Sequence, residues 1–137
     1  MAVTSARGTI TLLSRLSKSV YRRTSESMLG VSVRHYMALS YIADPGGLSQ
    51  QQLAEILCID ANNTVLLLNE MEGLGLIRRV RDPADRRRHL VEVTEHGQEV
   101  FQQAQHARES VEDEVLGTLS APERATLHRL LAKALGD

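Results

Sequence analysis

Arg78-Arg79-Val80-Arg81-Asp82-Pro83-Ala84-Asp85-Arg86-Arg87-Arg88 is the stretch on which the fold turns. Six arginines and two aspartates give it a local charge of +4 in a chain whose net charge is −1. Asp82-Pro83 is a turn signal, and the flanking runs Leu76–Val80 and Leu90–Val93 are extended and partly β-branched in character. The segment reads as a two-stranded ribbon with guanidinium groups at its tip. Such a tip suits phosphate oxygens or a narrow minor groove, where arginine is the favoured cation. A solvated, salt-bridged hairpin is the competing reading of any charge run, and what precedes the ribbon separates the two.

Immediately upstream lie two short helices joined by a tight turn. Ser49 and Gln52 form a capping box ahead of Leu53, Ala54, Ile56 and Leu57. After a turn at Cys58-Ile59, Asp60 caps a helix expected over Ala61–Leu74, stopped by Gly75 in the left-handed position that favours glycine. At 100° per residue, Thr64, Leu67, Leu68, Met71 and Leu74 share one side and are expected in the core. Asn62, Leu66, Asn69 and Gly73 share the other, flanked by Asn63, Val65 and Glu70. Two helices of these lengths and a basic ribbon make a winged helix-turn-helix. An asparagine amide can pair with adenine N6 and N7 in the major groove, and a leucine can touch a thymine methyl. Asn62, Asn63, Leu66 and Asn69 are therefore candidate base readers. Helix-start chemistry is the alternative for Asn62 and Asn63.

Farther out, Ile10, Leu13 and Val20 carry helical spacing over about 10–28, broken at Gly30. A second helix is expected over Val33–Ala43, ended by Asp44-Pro45-Gly46-Gly47. Beyond the ribbon, Thr94 caps a long helix carrying Val100, Ala104, Ala107, Val111 and Val115. Ser120 and Glu123 then open a last helix with Leu127, Leu130, Leu131, Ala134 and Leu135. The expected order is α-α-α-α-β-β-α-α: mainly α with a small β-wing, one domain of 137 residues. With 3% aromatics and no Trp, a core of Leu, Val, Ile and Ala fits this class better than a β-sandwich. A winged unit over 33–97 buries too little to hold helices in 1–32 and 98–137, whose apolar stripes require a partner. A two-fold homodimer is expected, presenting two reading helices about 34 Å apart to a near-palindromic site. The acidic residues Glu109, Glu112, Asp113 and Glu114 read as a solvated face.

The run Leu53-Ala54-Glu55 through Asp60, Asn62-Asn63-Thr64-Val65, Glu72, Gly75-Leu76-Ile77, Arg79, Asp82-Pro83, Asp85, Arg87 and Val93-Thr94 with Gly97 resembles the MarR family of bacterial transcriptional regulators. The dense likeness covers about residues 48–97, and Asp85-x-Arg87 followed by Thr94–Gly97 is its most specific part. The resemblance implies a homodimer on a pseudo-palindromic double-stranded operator, usually a repressor relieved by a small molecule or oxidant. It also implies that Arg87 approaches the minor groove while Asp85 helps to hold the wing. Two positions depart from the family pattern: Leu66 stands where a basic residue is common, and Glu70 where arginine is. No Lys or Arg occurs between Asp60 and Leu74. DNA anchoring is thus expected to fall on Arg81, Arg86, Arg87 and Arg88, with Arg34 as a further cation.

Other chemistry is sparse. Cys58, the single cysteine, excludes an internal disulfide and reads as a small buried hydrophobe rather than a redox sensor. The five histidines show no metal-ligand spacing, no catalytic set is legible, and no metal or cofactor is expected. His35 and Tyr36 are candidates for an effector pocket, with core packing as the competing reading. No apolar run approaches membrane-spanning length, so a soluble, cytoplasmic protein is expected. The alternative to a DNA-binding regulator is a winged-helix adaptor for protein contacts, which would show no salt-dependent DNA binding.

Overall fold

The computed structural model describes residues 6–24, 30–44 and 47–137. Its elements are α1 (Thr9–Arg23), α2 (Val33–Ile42), β1 (Leu48–Ser49), α3 (Gln50–Leu57), α4 (Ala61–Gly73), β2 (Ile77–Arg81), β3 (His89–Val93), α5 (Glu95–Val115) and α6 (Ala121–Leu135). They fall into two compact units, Ser25–Ala107 and Met1–Thr24 with Arg108–Asp137. The helix expected over 10–28 ends at Arg23, where Thr24 turns extended. Residues 25–28 of that expectation, and Pro45-Gly46 of the turn cluster, lie outside the described residues.

In the unit Ser25–Ala107, local chemistry starts and stops each element. Ser32 accepts the His35 backbone N–H and opens α2, whose Ala38, Leu39 and Ile42 are buried. The Ser49–Gln52 capping box is complete: the Ser49 Oγ accepts the Gln52 N–H at 3.0 Å, and the Ser49 N–H donates to Gln52 Oε1 at 2.9 Å. Asp60 caps α4, and the buried Thr64 hydroxyl is satisfied by the Asp60 carbonyl at 2.8 Å. α3 and α4 both close with paired bonds in the Schellman pattern, Cys58 and Ile59 on Glu55 and Ala54, Gly75 and Leu76 on Glu72 and Met71. Leu53, Leu67, Leu68, Met71, Leu76, Ile77, Val91 and Ala104 complete the core.

The structure corrects three sequence-based expectations here. The ribbon is part of a three-stranded antiparallel sheet in the order β1-β3-β2. Leu48 pairs with Val91 and Ser49 with Leu90; two residues are too few to leave a periodic trace in sequence. Leu74, expected in the core, is 54% exposed. α4 stops one residue earlier, the chain reverses at Gly75 (φ +75°), and Leu76, 2% exposed, occupies the buried place instead. Cys58, expected to be buried, is exposed and left-handed (φ 56°), because it holds the helix-ending position where α4 uses Gly75.

Thr94 joins the wing to α5. Its hydroxyl donates to the Gly75 carbonyl at 2.5 Å and accepts the Gly97 N–H at 2.9 Å. Gly97 lies so close that any Cβ there would collide with the Leu76 carbonyl. This close seat accounts for the Thr94–Gly97 spacing.

The other unit holds α1, α6 and the end of α5. Arg124 pairs with Asp113 at 2.5 Å, Arg23 donates to the Glu114 carbonyl at 3.3 Å, and Ser120 with Glu123 forms the expected capping box. Val111 is buried, yet no described residue of α1 or α6 is. Ile10, Leu12, Leu13, Leu130, Leu131 and Leu135 are all exposed.

Candidate nucleic-acid interface

The outer face of α4 is polar with one apolar interruption. Asn62, Asn63, Leu66 and Asn69 are exposed, while Thr64, Leu67, Leu68 and Met71 are buried opposite them. Three side chains of this face are already engaged. Asn63 is tied to the cap, its backbone N–H to Asp60 Oδ1 at 2.7 Å and its Nδ2 to Asp60 Oδ2 at 2.9 Å. Asn69 Oδ1 accepts from Arg79 Nη2 at 2.6 Å. Glu70 Oε2 lies 3.1 Å from His35 Nε2, whose side chain is only 11% exposed. The carboxylate that would repel a phosphate backbone is thereby paired from α2.

Arg79 is the residue that sequence reading missed. It bonds Glu72 through Nη2 at 3.1 Å and through its backbone N–H at 3.3 Å, besides its bond to Asn69. The side-chain hydrogen bond from Arg79 holds the Glu72 carboxyl below the usual carboxylate range. β2 is thus clamped to the last turns of α4. Arg79 is indistinguishable from the other arginines in a charge run, and the seven-residue step back to Glu72 spans two elements.

The six arginines divide by position. At the root of the wing, Arg78 pairs with Glu92 across the strands at 3.0 Å and Arg79 braces α4. Arg81 Nη1 donates to the Arg86 carbonyl at 3.3 Å, a tie within the tip rather than an open cation. The loop itself is built by aspartates: Asp82 Oδ1 accepts the Ala84 N–H at 2.9 Å, and Asp85 Oδ1 accepts the Arg87 N–H at 3.1 Å. Asp85 also touches Arg87 Nε at 3.4 Å, but that side chain is 92% exposed and such a pair contributes little. Arg86 and Arg88 are exposed and have no side-chain partner among the described residues. A hollow of about 180 Å³ lined by Gln50, Gln51, Arg87, Arg88 and His89 opens between the start of α3 and the wing. Residues at the start of α3 and two arginines of the wing thus line one hollow.

The MarR family model matches residues 29–88. Transcriptional regulator HosA of Escherichia coli O111:H- is 35% identical over 100 residues, which are 73% of this chain and 74% of that relative. The chain belongs to the MarR family. Solved MarR-family structures share its fold. A mutant MarR from E. coli complexed with operator DNA superposes with a TM-score of 0.77 at 24% identity, covering 90% of this chain and 91% of that one. The PcaV transcriptional regulator from Streptomyces coelicolor, in complex with its natural ligand, gives 0.76 at 25% identity over 98% and 96% of the two chains. This MarR-family transcriptional regulator therefore carries the winged helix-turn-helix DNA-binding fold.

Of the two effector candidates, Tyr36 packs its ring against Phe101, with centroids 5.7 Å apart. His35 lines a cavity of about 270 Å³ with Ser32, Leu74, Leu76, His96 and Val100. Arg34 is exposed on α2. Among the described residues, no group of three or more His, Cys, Asp or Glu side chains is placed to hold a metal ion. None of the described helices is long and apolar enough to cross a membrane.

Proposed function

We propose that this protein acts by binding rather than by catalysis, as a homodimeric, sequence-specific regulator in the cytoplasm that represses transcription until a small molecule relieves it. The observation that carries the proposal is the pairing, within one unit, of an exposed reading face with an outward cationic tip: Asn62, Leu66 and Asn69 on α4, and Arg86, Arg87 and Arg88 on the wing. α4 has no cation of its own, so it can read base edges while the wing and the hollow beside α3 take phosphates or the minor groove. The exposed leucines of α1 and α6 support a second copy as partner, which would set two reading helices about one DNA turn apart on a near-palindrome. The cavity of about 270 Å³ beside His35 and His96 lies just under the usual ligand-pocket range of about 300–1,000 Å³, and PcaV is a ligand-bound protein of the same fold.

Footprinting on the DNA upstream of its own gene, followed by anisotropy on the protected site, tests this reading. Protection should be two-fold symmetric. Asn62→Ala should cost about 1–3 kcal/mol on that site and little on random duplex. Equal losses on both would make Asn62 a helix-start residue only. Absence of salt-dependent binding to any duplex would favour the adaptor reading.

A further inference from the structure

The asparagines on the outer face of α4 differ in what their amides already bond. Asn63 Nδ2 donates to Asp60 Oδ2 at 2.9 Å. A carboxylate accepts and does not donate, so a flipped Asn63 amide would set two oxygens against each other. Its carbonyl oxygen therefore keeps both lone pairs for an outside partner, while the amino group keeps one hydrogen. Asn69 is the converse case. Its Oδ1 accepts from Arg79 Nη2 at 2.6 Å, and a guanidinium has no acceptor, so the Asn69 amino group keeps both hydrogens while the oxygen keeps one lone pair. Glu72 anchors that guanidinium at 3.1 Å, which keeps it from turning away. Asn62 has no such partner among the described residues and retains both halves of its amide.

We infer that these two internal bonds set the base preferences of α4, by biasing Asn63 toward accepting and Asn69 toward donating and leaving Asn62 as the residue able to pair bidentately with adenine. In the major groove an acceptor selects the amino groups of adenine N6 or cytosine N4, and a donor selects guanine O6 or N7, thymine O4 or adenine N7. Asn63, in the first turn, stands where reading helices meet base edges most directly. Asp60 is thus a specificity-determining residue that acts through Asn63 without touching DNA. This inference rests on the reading of α4 as a base-reading helix.

Asp60→Asn tests it, because asparagine also caps helices well. The new side-chain NH2 would face Asn63 and turn its amide over, so that a donor points outward. Full-length wild type and variant would be used to select bound sequences from a randomised duplex pool, with thermal unfolding as a check of folding. One position per half-site should move from adenine or cytosine toward guanine or thymine, by about tenfold in relative affinity. Independently, a base stripped of its exocyclic amino group at that position should weaken wild type about fivefold and leave Asn63→Ala unaffected. Unchanged preferences in Asp60→Asn, or wild-type indifference to the missing amino group, would overturn the inference while base reading stands. If the wild type enriches no sequence at all, base reading by α4 fails, and the inference with it.

Discussion

The two units of the chain put the same apolar residue types to opposite use. In Ser25–Ala107, Leu39, Leu53 and Leu68 are wholly buried by neighbours of the same unit. In the unit of terminal helices, Ile10 is 80% exposed and Leu135 70%, and no residue of α6 is buried. One unit has closed its own core; the other presents apolar surface that its own helices do not cover. So many exposed large apolar side chains on two helices need a cover, which is why the regulator is proposed to be a homodimer through these helices.

The largest test of that contrast is Leu68→Ala. Emptying a fully packed site should cost about 2–5 kcal/mol, measured by denaturant unfolding, and the loss should not vary with protein concentration. Leu130→Asp with Leu135→Asp should behave in the opposite way. Folding of the winged unit should persist while sedimentation shows dimer association weakened at least about tenfold, or about 1.4 kcal/mol. A wild-type protein that sediments as a monomer at micromolar concentration would break the comparison outright.

Smaller effects sharpen the winged unit itself. Arg87→Ala should lower affinity for every duplex; if Arg87 contacts phosphate, the slope of log K against log salt should flatten by about 0.9 per protomer engaged. If it lies in the minor groove, the loss should instead be larger beside A·T-rich flanks. Unaltered binding at all salt concentrations would remove the wing from the interface. Cys58→Gly should stabilise the fold by about 1 kcal/mol, since glycine adopts the left-handed conformation at Cys58 without strain. The same variant should leave DNA binding indifferent to peroxide; a wild-type oxidant response lost on this change would make Cys58 a sensor.

The smallest effect is a pH dependence at the clamp between α4 and β2. The folded state lowers the pKa of Glu72, so the stabilisation is present above the unfolded carboxyl value and disappears as pH falls through the folded one. Wild type should therefore melt above Glu72→Gln at neutral pH, and the gap should close in acid. A gap that persists below the carboxylate range would mean that packing, not charge, makes the clamp.

Much of the winged unit was legible because its signals are local. Ser49 with Gln52, Asp60 and Gly75 act within one turn of their own element, so the chemistry that starts or stops a helix is contained in a few adjacent residues. The buried side of α4 followed from the 3.6-residue period, except at Leu74, where the helix had already ended. Cys58 was missed although its left-handed conformation has a local cause, the closure of α3 on Ala54 and Glu55, because a cysteine at that position lacks the residue signal that Gly75 gives.

The sequence by itself determined where α3, α4, α5 and α6 begin, which face of α4 turns inward apart from Leu74, and that a basic loop follows it. Those properties depend on backbone capping and periodicity, both short-range. Only the tertiary structure decided which arginines are spoken for. Arg78 and Arg79 meet carboxylates brought from another strand and another helix, whereas Arg86 and Arg88 meet none among the described residues. It also decided the state of the reading face, through Asn69 on Arg79 and Glu70 on His35. These ion pairs, and the orientation of the Asn69 amide, depend on distances of a few ångströms between groups seven or more residues apart, and such distances exist only once the chain has folded.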